Sequence, residues 1–170
     1  MKILIISGDK CDDSEIQYPY FRLLEEGYEV DIAAKEKGEI SAKHYLKITA
    51  NISIDEIDPK TYDGLVLPGG TAPEKIRQIP YVSEIVNSFN SDGKPIAAIC
   101  HGQQILISSG ILSGRKATCY PGIKDDLINA GATYFDERVV CDGNLVTSRR
   151  PEDLPYFMYE FVSLIKRLGV

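Results

Sequence analysis

Residues 96–106 read Ile-Ala-Ala-Ile-Cys-His-Gly-Gln-Gln-Ile-Leu, and this stretch decides the fold. It begins with an apolar run typical of a strand buried on both faces and continues with a helical pattern. The change falls at Cys100, with the small residues Ala98 and Gly102 two places before and after it. A sharp strand-to-helix turn needs such small residues so that the backbone can close up. The stretch therefore predicts a nucleophile elbow with a cysteine as the nucleophile.

The composition is that of one globular domain. The chain has 170 residues, of which 44% are hydrophobic and 26% charged, with a formal net charge of −6. Such a chain offers no basic face for nucleic acid or an anionic membrane, and no apolar run approaches the ~20 residues of a membrane span. The short apolar start, soon followed by Asp9, does not resemble a signal peptide. We expect a single domain over residues 1–170, located in the cytoplasm.

The cysteine and histidine content argues against a metal site. The four cysteines are irregularly spaced, at positions 11, 100, 119 and 141, and none forms a Cys-x-x-Cys pair. The only histidines are His44 and His101. This content provides no zinc-binding or thioredoxin-like motif. We expect free thiols, one of them reactive, with no metal and no cofactor.

Strands alternate with helices along the chain. The patterns predict buried strands over residues 2–7, 29–34, 63–67 and 96–99, a hairpin within 35–54, and a second hairpin turning at Asp142-Gly143. Helices are predicted over residues 12–26, 81–91, 103–109, 123–130 and 151–168, with a short one from Ala72. This alternation predicts an α/β fold built on a doubly wound, mostly parallel sheet. Its site should lie where the strand ends at Ser7, Gly69-Gly70 and Cys100 meet.

Cys100 is the candidate nucleophile of this site. A helix N-terminus favours the thiolate, the turn exposes the sulfur, and His101 is a candidate general base. Sequence adjacency alone does not predict a hydrogen bond between the two side chains, since neighbouring side chains at a helix start diverge. The alternative for Cys100 is a buried structural cysteine, the common fate of cysteine in a core.

The other two strand ends supply candidate partners for Cys100. The backbone N–H groups of Gly70 and His101 could form an oxyanion hole, although Gly69-Gly70 could equally be a plain tight turn. Glu15, at the start of the first helix, could reach the sulfur as a protonated carboxyl if burial raises its pKa. The alternative for Glu15 is an exposed carboxylate favoured by the helix dipole.

Several motifs give the chain a family resemblance. They are Ala-Ile-Cys-His-Gly at 98–102, Leu-Pro-Gly-Gly-x-Ala-Pro-Glu at 67–74, Tyr-Pro-Tyr-x-Arg-Leu-x-Glu-Glu-Gly at 18–27 and Thr-Ser-Arg at 147–149. Together they resemble the PfpI-type intracellular cysteine peptidases of the ThiJ/PfpI superfamily, which includes the parkinsonism-associated deglycase. The similarity runs essentially end to end. It implies a flavodoxin-like α/β/α sandwich, a single domain of the class I glutamine amidotransferase-like kind.

The resemblance also implies roles for the site residues. Cys100 would be the nucleophile with His101 beside it, and Glu15 would be a protonated carboxyl against the sulfur. Glu74 of a neighbouring subunit would orient His101. The site would then be complete only in a homo-oligomer, either a dimer or a hexameric ring.

The same resemblance places three residues in the substrate pocket: Gly69, Cys119 and Tyr120. Cys119 stands where the family pattern has serine, and Gln103 stands where it has proline. Cys119 could be a thiol that resolves an oxidised Cys100 or simply a buried replacement for serine. Cys11 carries the same ambiguity.

Two classes of function fit these residues. In the first, Cys100 attacks a peptide or amide bond or a small reactive carbonyl, and water resolves the adduct. Within this class a protein deglycase or glutathione-independent glyoxalase acting on methylglyoxal is the alternative to a peptidase. In the second class the protein is not an enzyme: it is a redox-sensing or chaperone stress protein in which Cys100 is oxidised and Glu15 stabilises the oxidised form.

Overall fold

The structure, a computed structural model, describes residues 1–169. The strands, in chain order, are β1 (Lys2–Ile6), β2 (Glu29–Ala34), β3 (Gly38–Ser41), β4 (Lys47–Ala50), β5 (Ile52–Ser53), β6 (Gly64–Leu67), β7 (Ile96–Ile99), β8 (Lys116–Ala117), β9 (Thr133–Tyr134), β10 (Val139–Asp142) and β11 (Leu145–Ser148). The α-helices are α1 (Asp13–Glu25), α2 (Ala72–Ile76), α3 (Pro80–Ser91), α4 (Gln103–Ser109), α5 (Lys124–Asn129) and α6 (Leu154–Leu168). None of these helices is long and apolar enough to cross a membrane.

A seven-stranded sheet forms the centre of the fold, with the strand order β10-β11-β7-β6-β1-β2-β5. Its pairs are parallel except β10 with β11, which are antiparallel. The predicted doubly wound, mostly parallel sheet is therefore confirmed. The strands β1, β6 and β7 are neighbours, so their carboxyl ends lie side by side, as the sequence predicts. The chain order reverses between β1 and β6, and a ligand crevice opens at such a switch point.

Helices cover both faces of this sheet. One core contains Leu4, Ile6 and side chains of α2, α3, α4 and α5; the other contains Ile3, Ile5 and side chains of α1 and α6. Alternate residues of β1 thus point into different cores, which explains why its sequence is apolar throughout rather than alternating. The result is the expected α/β/α sandwich.

Small differences from the predicted elements have local causes. The second hairpin turns at Gly143-Asn144, since Asp142 still pairs with Leu145 across the two strands. The last helix begins at Leu154, because Pro151–Asp153 form a separate 3-10 turn. The first hairpin, β3 with β4, forms a small sheet of its own beside α1.

Candidate active site

The elbow follows β7 directly. Cys100 has a φ of 62°, in the left-handed region that non-glycine residues rarely occupy, and α4 begins three residues later at Gln103. A Cβ on Gly102 would lie 2.1 Å from the Leu67 carbonyl oxygen, so only glycine fits there. The Cys100 N–H donates to the Ser148 oxygen at 3.1 Å and keeps the turn attached to the sheet. Strain of this kind is found at sites where a side chain must be presented in one orientation.

Cys100 and His101 do approach each other, contrary to the expectation from adjacency. Cys100 Sγ lies 3.3 Å from His101 Nδ1, within hydrogen-bonding distance. That expectation assumed helical geometry, and it was wrong because both residues precede the helix and Cys100 has a left-handed backbone. Burial, helped by the Lys43 charge, lowers the pKa of His101. The imidazole is therefore neutral at pH 7 and able to accept the thiol proton.

Glu15 is completely buried beside the same sulfur. Its Oε2 accepts a hydrogen bond from Gly69 N–H at 2.8 Å, while its Oε1 has no hydrogen-bond partner among the described residues. The Cys100 thiol is close enough to influence the pKa of this carboxyl. Asp12 caps α1 through bonds from Ser14 N–H and Glu15 N–H, which fixes the first turn that carries Glu15. Burial, assisted by the Asp12 charge, raises the pKa of Glu15 to about 8. At neutral pH this carboxyl is protonated and can donate to the sulfur.

The Cys100 sulfur lies in a setting that opposes its ionisation. Burial raises the pKa of the Cys100 thiol above its ordinary value, and the Glu15 carboxyl raises it further. Hydrogen bonds from the His101 and Gly70 backbone N–H groups act in the opposite direction. The helix N-terminus favours the thiolate, as the sequence predicts, but burial acts against it. Since protonation of Glu15 removes its charge, burial is the main opposing effect at neutral pH, and His101 is the base placed to overcome it.

The two backbone N–H groups named for an oxyanion hole, those of Gly70 and His101, both act to lower the pKa of this sulfur. Gly70 has a φ of 78°, and its backbone also forms an isolated bridge with Cys11, which fixes the position of the loop after β6. A Cβ on Gly70 would lie 2.5 Å from the Asp12 nitrogen and the Lys10 oxygen. Gly70 therefore packs closely against the backbone of residues 10–12, in addition to forming a tight turn.

The Tyr120 ring packs on the imidazole, and the charge of Lys43 acts on it. The Tyr120 ring stacks on the His101 ring, with centroids 4.8 Å apart and planes 28° apart. Lys43 lies in the turn between β3 and β4, and its N–H donates to the Cys11 oxygen at 2.8 Å. Its charge acts on both His101 and Glu15. Sequence analysis missed Lys43 because nothing local shows that this hairpin folds back over the start of α1.

The remaining predicted residues lie as follows. Glu74 is exposed on α2, and no residue in the described part of this chain hydrogen-bonds its carboxylate. Cys119 is completely buried in the core on the α4 side of the sheet, whereas Cys100 belongs to the core on the other side. Burial raises the pKa of Cys119 to about 12 and that of Cys11 to about 11. This placement favours a structural role for both thiols over a redox role.

A methyl group at Gly69 should disrupt the site. A Cβ there would lie 2.5 Å from Glu15 Oε2, 2.8 Å from Cys100 Cβ and 2.9 Å from the His101 nitrogen. We expect Gly69→Ala to reduce the rate of Cys100 alkylation by iodoacetamide by roughly 100-fold, because misplacement by ~1 Å has effects of that size. Urea unfolding should show a loss of about 1–3 kcal/mol, as is usual for overpacking.

Gly8→Ala is the matched control for this substitution. The nearest atom to its added Cβ would be the side-chain Cδ1 of Ile76, at 3.2 Å, which can move. This variant should alkylate at the wild-type rate. An unchanged rate in Gly69→Ala would contradict the close packing described above.

The chain is similar to known proteins over nearly its whole length. The model of the DJ-1/PfpI family matches residues 1–164. A protein of Pyrococcus furiosus named "Deglycase PfpI" is 52% identical over 166 residues, which cover 98% of this chain and 100% of that protein. The YraA protein of Bacillus subtilis, provisionally named a cysteine protease, is 39% identical over 166 residues, covering 97% and 98%. A crystal structure from Anabaena variabilis, of a protein with DJ-1/ThiJ/PfpI-like and ferritin-like domains, superposes with a TM-score of 0.93 at 36% identity. That match covers 99% of this chain and 48% of the two-domain protein.

Proposed function

Because the chain belongs to the DJ-1/PfpI family, we propose that it is a deglycase, an enzyme that reverses glycation and whose Cys100 attacks the aldehyde carbon freed when the adduct releases its amine. The observation that carries the proposal is the set of contacts around one sulfur. A neutral imidazole lies 3.3 Å from it, and the Gly70 and His101 backbone N–H groups and the protonated Glu15 carboxyl are near enough to shift its pKa. The name of the Pyrococcus relative, matched over its whole length, supports this choice among carbonyl substrates.

The first step is formation of a carbon–sulfur bond. His101 Nδ1 takes the thiol proton, and the thiolate adds to an aldehyde carbon of the substrate. The electron pair of the C=O bond moves to oxygen. The Gly70 and His101 N–H groups, which lower the pKa of the sulfur in the free chain, are the donors assigned to stabilise that oxygen. The proton returns from His101 to give a neutral adduct.

The later steps need no oxidant. For a methylglyoxal adduct of an amine, release of the amine regenerates the aldehyde, which Cys100 traps as a hemithioacetal. Transfer of a proton from the sulfur-bearing carbon to the neighbouring ketone carbon, through an enediol, gives a lactoyl thioester. Water then breaks the carbon–sulfur bond and yields lactate and the free thiol. His101 is the group placed to move these protons.

Hydrolysis of peptide or amide bonds is the second candidate function, and it is the main function that the sequence predicts. It shares the attack by Cys100, after which an imidazolium at His101 would protonate the leaving amine. The pairing of Sγ with Nδ1 and the name of the Bacillus relative favour it. The two activities differ in when the amine leaves: before attack by Cys100 in the deglycase, and from the first adduct in the peptidase.

A direct comparison of substrates tests the proposal. The full-length protein is incubated under reducing conditions with methylglyoxal-treated N-acetyl-lysine and, separately, with a fluorogenic peptide. We expect lactate release with recovery of the free amine and no peptide cleavage. Peptide cleavage without lactate would replace the deglycase with a peptidase. If neither substrate reacts and mild peroxide converts Cys100 to its sulfinic acid, the hypothesis of a redox-sensing protein replaces both enzyme hypotheses.

We also propose that the site is completed by a second copy of the chain. Because His101 Nδ1 faces Cys100 Sγ, its Nε2 is the nitrogen left for an orienting carboxylate. The exposed position of Glu74 on α2 supports a role for the partner subunit's Glu74 there. An apolar groove of about 460 Å³ between α1 and β4, bordered by Phe21 at 54% exposure, offers a surface for self-association.

Mixing two inactive variants tests this completion. Glu74→Ala should lower turnover about 100-fold while the oligomer, measured by light scattering, stays intact. Cys100→Ser is inactive for a different reason. Mixed dimers of the two, formed by co-refolding, contain one site with an intact cysteine and an intact neighbouring carboxylate. In a random mixture we expect recovery to about a quarter of wild-type turnover. Recovery no greater than the sum of the separate variants would place Glu74 outside the site.

A further inference from the structure

The side chain of Gln103, the first residue of α4, is completely buried behind the elbow. Its Nε2 lies 2.8 Å from the Thr118 carbonyl oxygen, 2.8 Å from that of Ser148 and 3.2 Å from that of Ala98. Three acceptors surround this end of the amide, so it must be the NH2 group that faces them. Its Oε1 has no partner among the described residues. The three carbonyl oxygens therefore require a hydrogen-bond donor at position 103, and the structure tolerates a Gln103 Oε1 without a partner.

The carbonyl groups that Gln103 binds belong to segments that reach the reacting groups. The Ser148 oxygen also accepts the Cys100 N–H, so one oxygen joins the amide to the nucleophile. Thr118 lies two residues before Tyr120, whose N–H donates to the Cys100 oxygen at 3.2 Å. The Tyr120 ring in turn stacks on His101. One buried amide is thus connected to both members of the Cys100–His101 pair.

We propose that Gln103 is the positioning residue of this pair. Its amide holds the end of β11 against the segment after β8. This fixes the Tyr120 ring against one face of the His101 imidazole, so the imidazole cannot rotate freely. The hydrogen-bonding distance between Nδ1 and Sγ depends on that restraint. The role in turnover rests on the proposed function, whereas the effect on the imidazole does not.

Proton NMR of the two histidines measures the restraint directly. His44→Gln identifies the His101 signals. In Gln103→Leu we expect the His101 ring protons to lose the upfield shift caused by the stacked Tyr120 ring. Burial lowers the pKa of His101, so a looser imidazole should titrate at higher pH. With the substrate that the wild-type enzyme turns over, kcat should fall about 10-fold and KM should stay within about 2-fold.

Asn144→Ala is the matched control. Its side-chain amide also donates to a backbone carbonyl, that of Lys94 at 2.9 Å, but at the opposite end of β7 and β11. This variant should leave the His101 shift, its pKa and kcat unchanged. Equal effects from both substitutions would mean that Gln103 contributes only general stability.

Tyr120→Leu and the double variant complete the test. Tyr120 is 41% exposed, so its replacement should not prevent folding even if Gln103→Leu does. Tyr120→Leu alone should raise the pKa of His101, and adding Gln103→Leu should raise it no further, because both act through one contact. Additive changes, or an unchanged His101 in Tyr120→Leu, would overturn the proposal. Absence of any turnover by the wild type would refute the deglycase without affecting these NMR results.

Discussion

Replacing Cys100 by serine is expected to abolish turnover while leaving the fold intact. Serine has almost the same volume and backbone preferences, so the left-handed turn, with its φ of 62°, keeps the same strain. Its hydroxyl is a far weaker nucleophile than a thiolate, and His101 alone cannot ionise it. We expect kcat to fall on the order of 1,000-fold or more, with urea unfolding unchanged.

Another cysteine provides a control for this loss. Cys141→Ser changes an exposed thiol that lies outside the site. This variant should turn over substrate at the wild-type rate. In the Cys141→Ser variant, which lacks the exposed thiol, mass spectrometry after brief iodoacetamide treatment should find one label, on Cys100, because Cys11 and Cys119 are completely buried. Full turnover by Cys100→Ser with every substrate tried would remove Cys100 as the nucleophile.

The second large effect concerns the stability of the protein as a function of pH. Burial raises the pKa of Glu15 from 4.5 to about 8, so the folded state holds its proton more tightly than the unfolded state does. The resulting stabilisation is fully present below pH 4.5 and is lost as the pH rises towards 8. Glu15→Gln keeps an acceptor for Gly69 N–H and a donor for the sulfur, but it has no proton to lose. Between pH 4 and pH 8 the variant should gain up to about 4 kcal/mol relative to the wild type.

Urea unfolding of both proteins at pH 4, 6 and 8, with the thiols reduced, measures this difference. Glu84→Gln, which replaces an exposed carboxylate on α3, controls for the removal of one charge. Its difference from the wild type should stay within about 0.5 kcal/mol at all three values, as for most surface substitutions. If Glu15→Gln shows the same flat difference, Glu15 is ionised in the folded protein.

Much of the site could be anticipated because it depends on local patterns. The elbow follows from an apolar run that becomes helical at Cys100, and the position of Glu15 follows from the cap at Asp12 that starts α1. The order of the parallel strands then brings Gly69 to the same edge. These inferences need only periodicity, capping and the rule for the carboxyl ends of strands.

The rest depends on contacts between residues far apart in the chain. Gln103 was noticed only as an unusual residue after the elbow, since its acceptors Thr118 and Ser148 are 15 and 45 residues away. Lys43 acts on His101 through a hairpin whose docking has no local signature. Burial raises the pKa of the Cys100 thiol, whereas the helix N-terminus lowers it. The extent of burial depends on residues from many parts of the chain, so local sequence does not reveal it.

The left-handed backbone at Cys100 has a consequence for the evolution of this chain. A glycine at that position would relieve the strain and a smaller side chain would tolerate the turn, so selection for stability alone would favour losing the thiol. The same is true of a carboxyl as deeply buried as Glu15. Stabilising substitutions gathered without regard to activity are therefore expected to accumulate at the elbow itself, and a thermostable descendant of this protein could keep the fold while losing its chemistry.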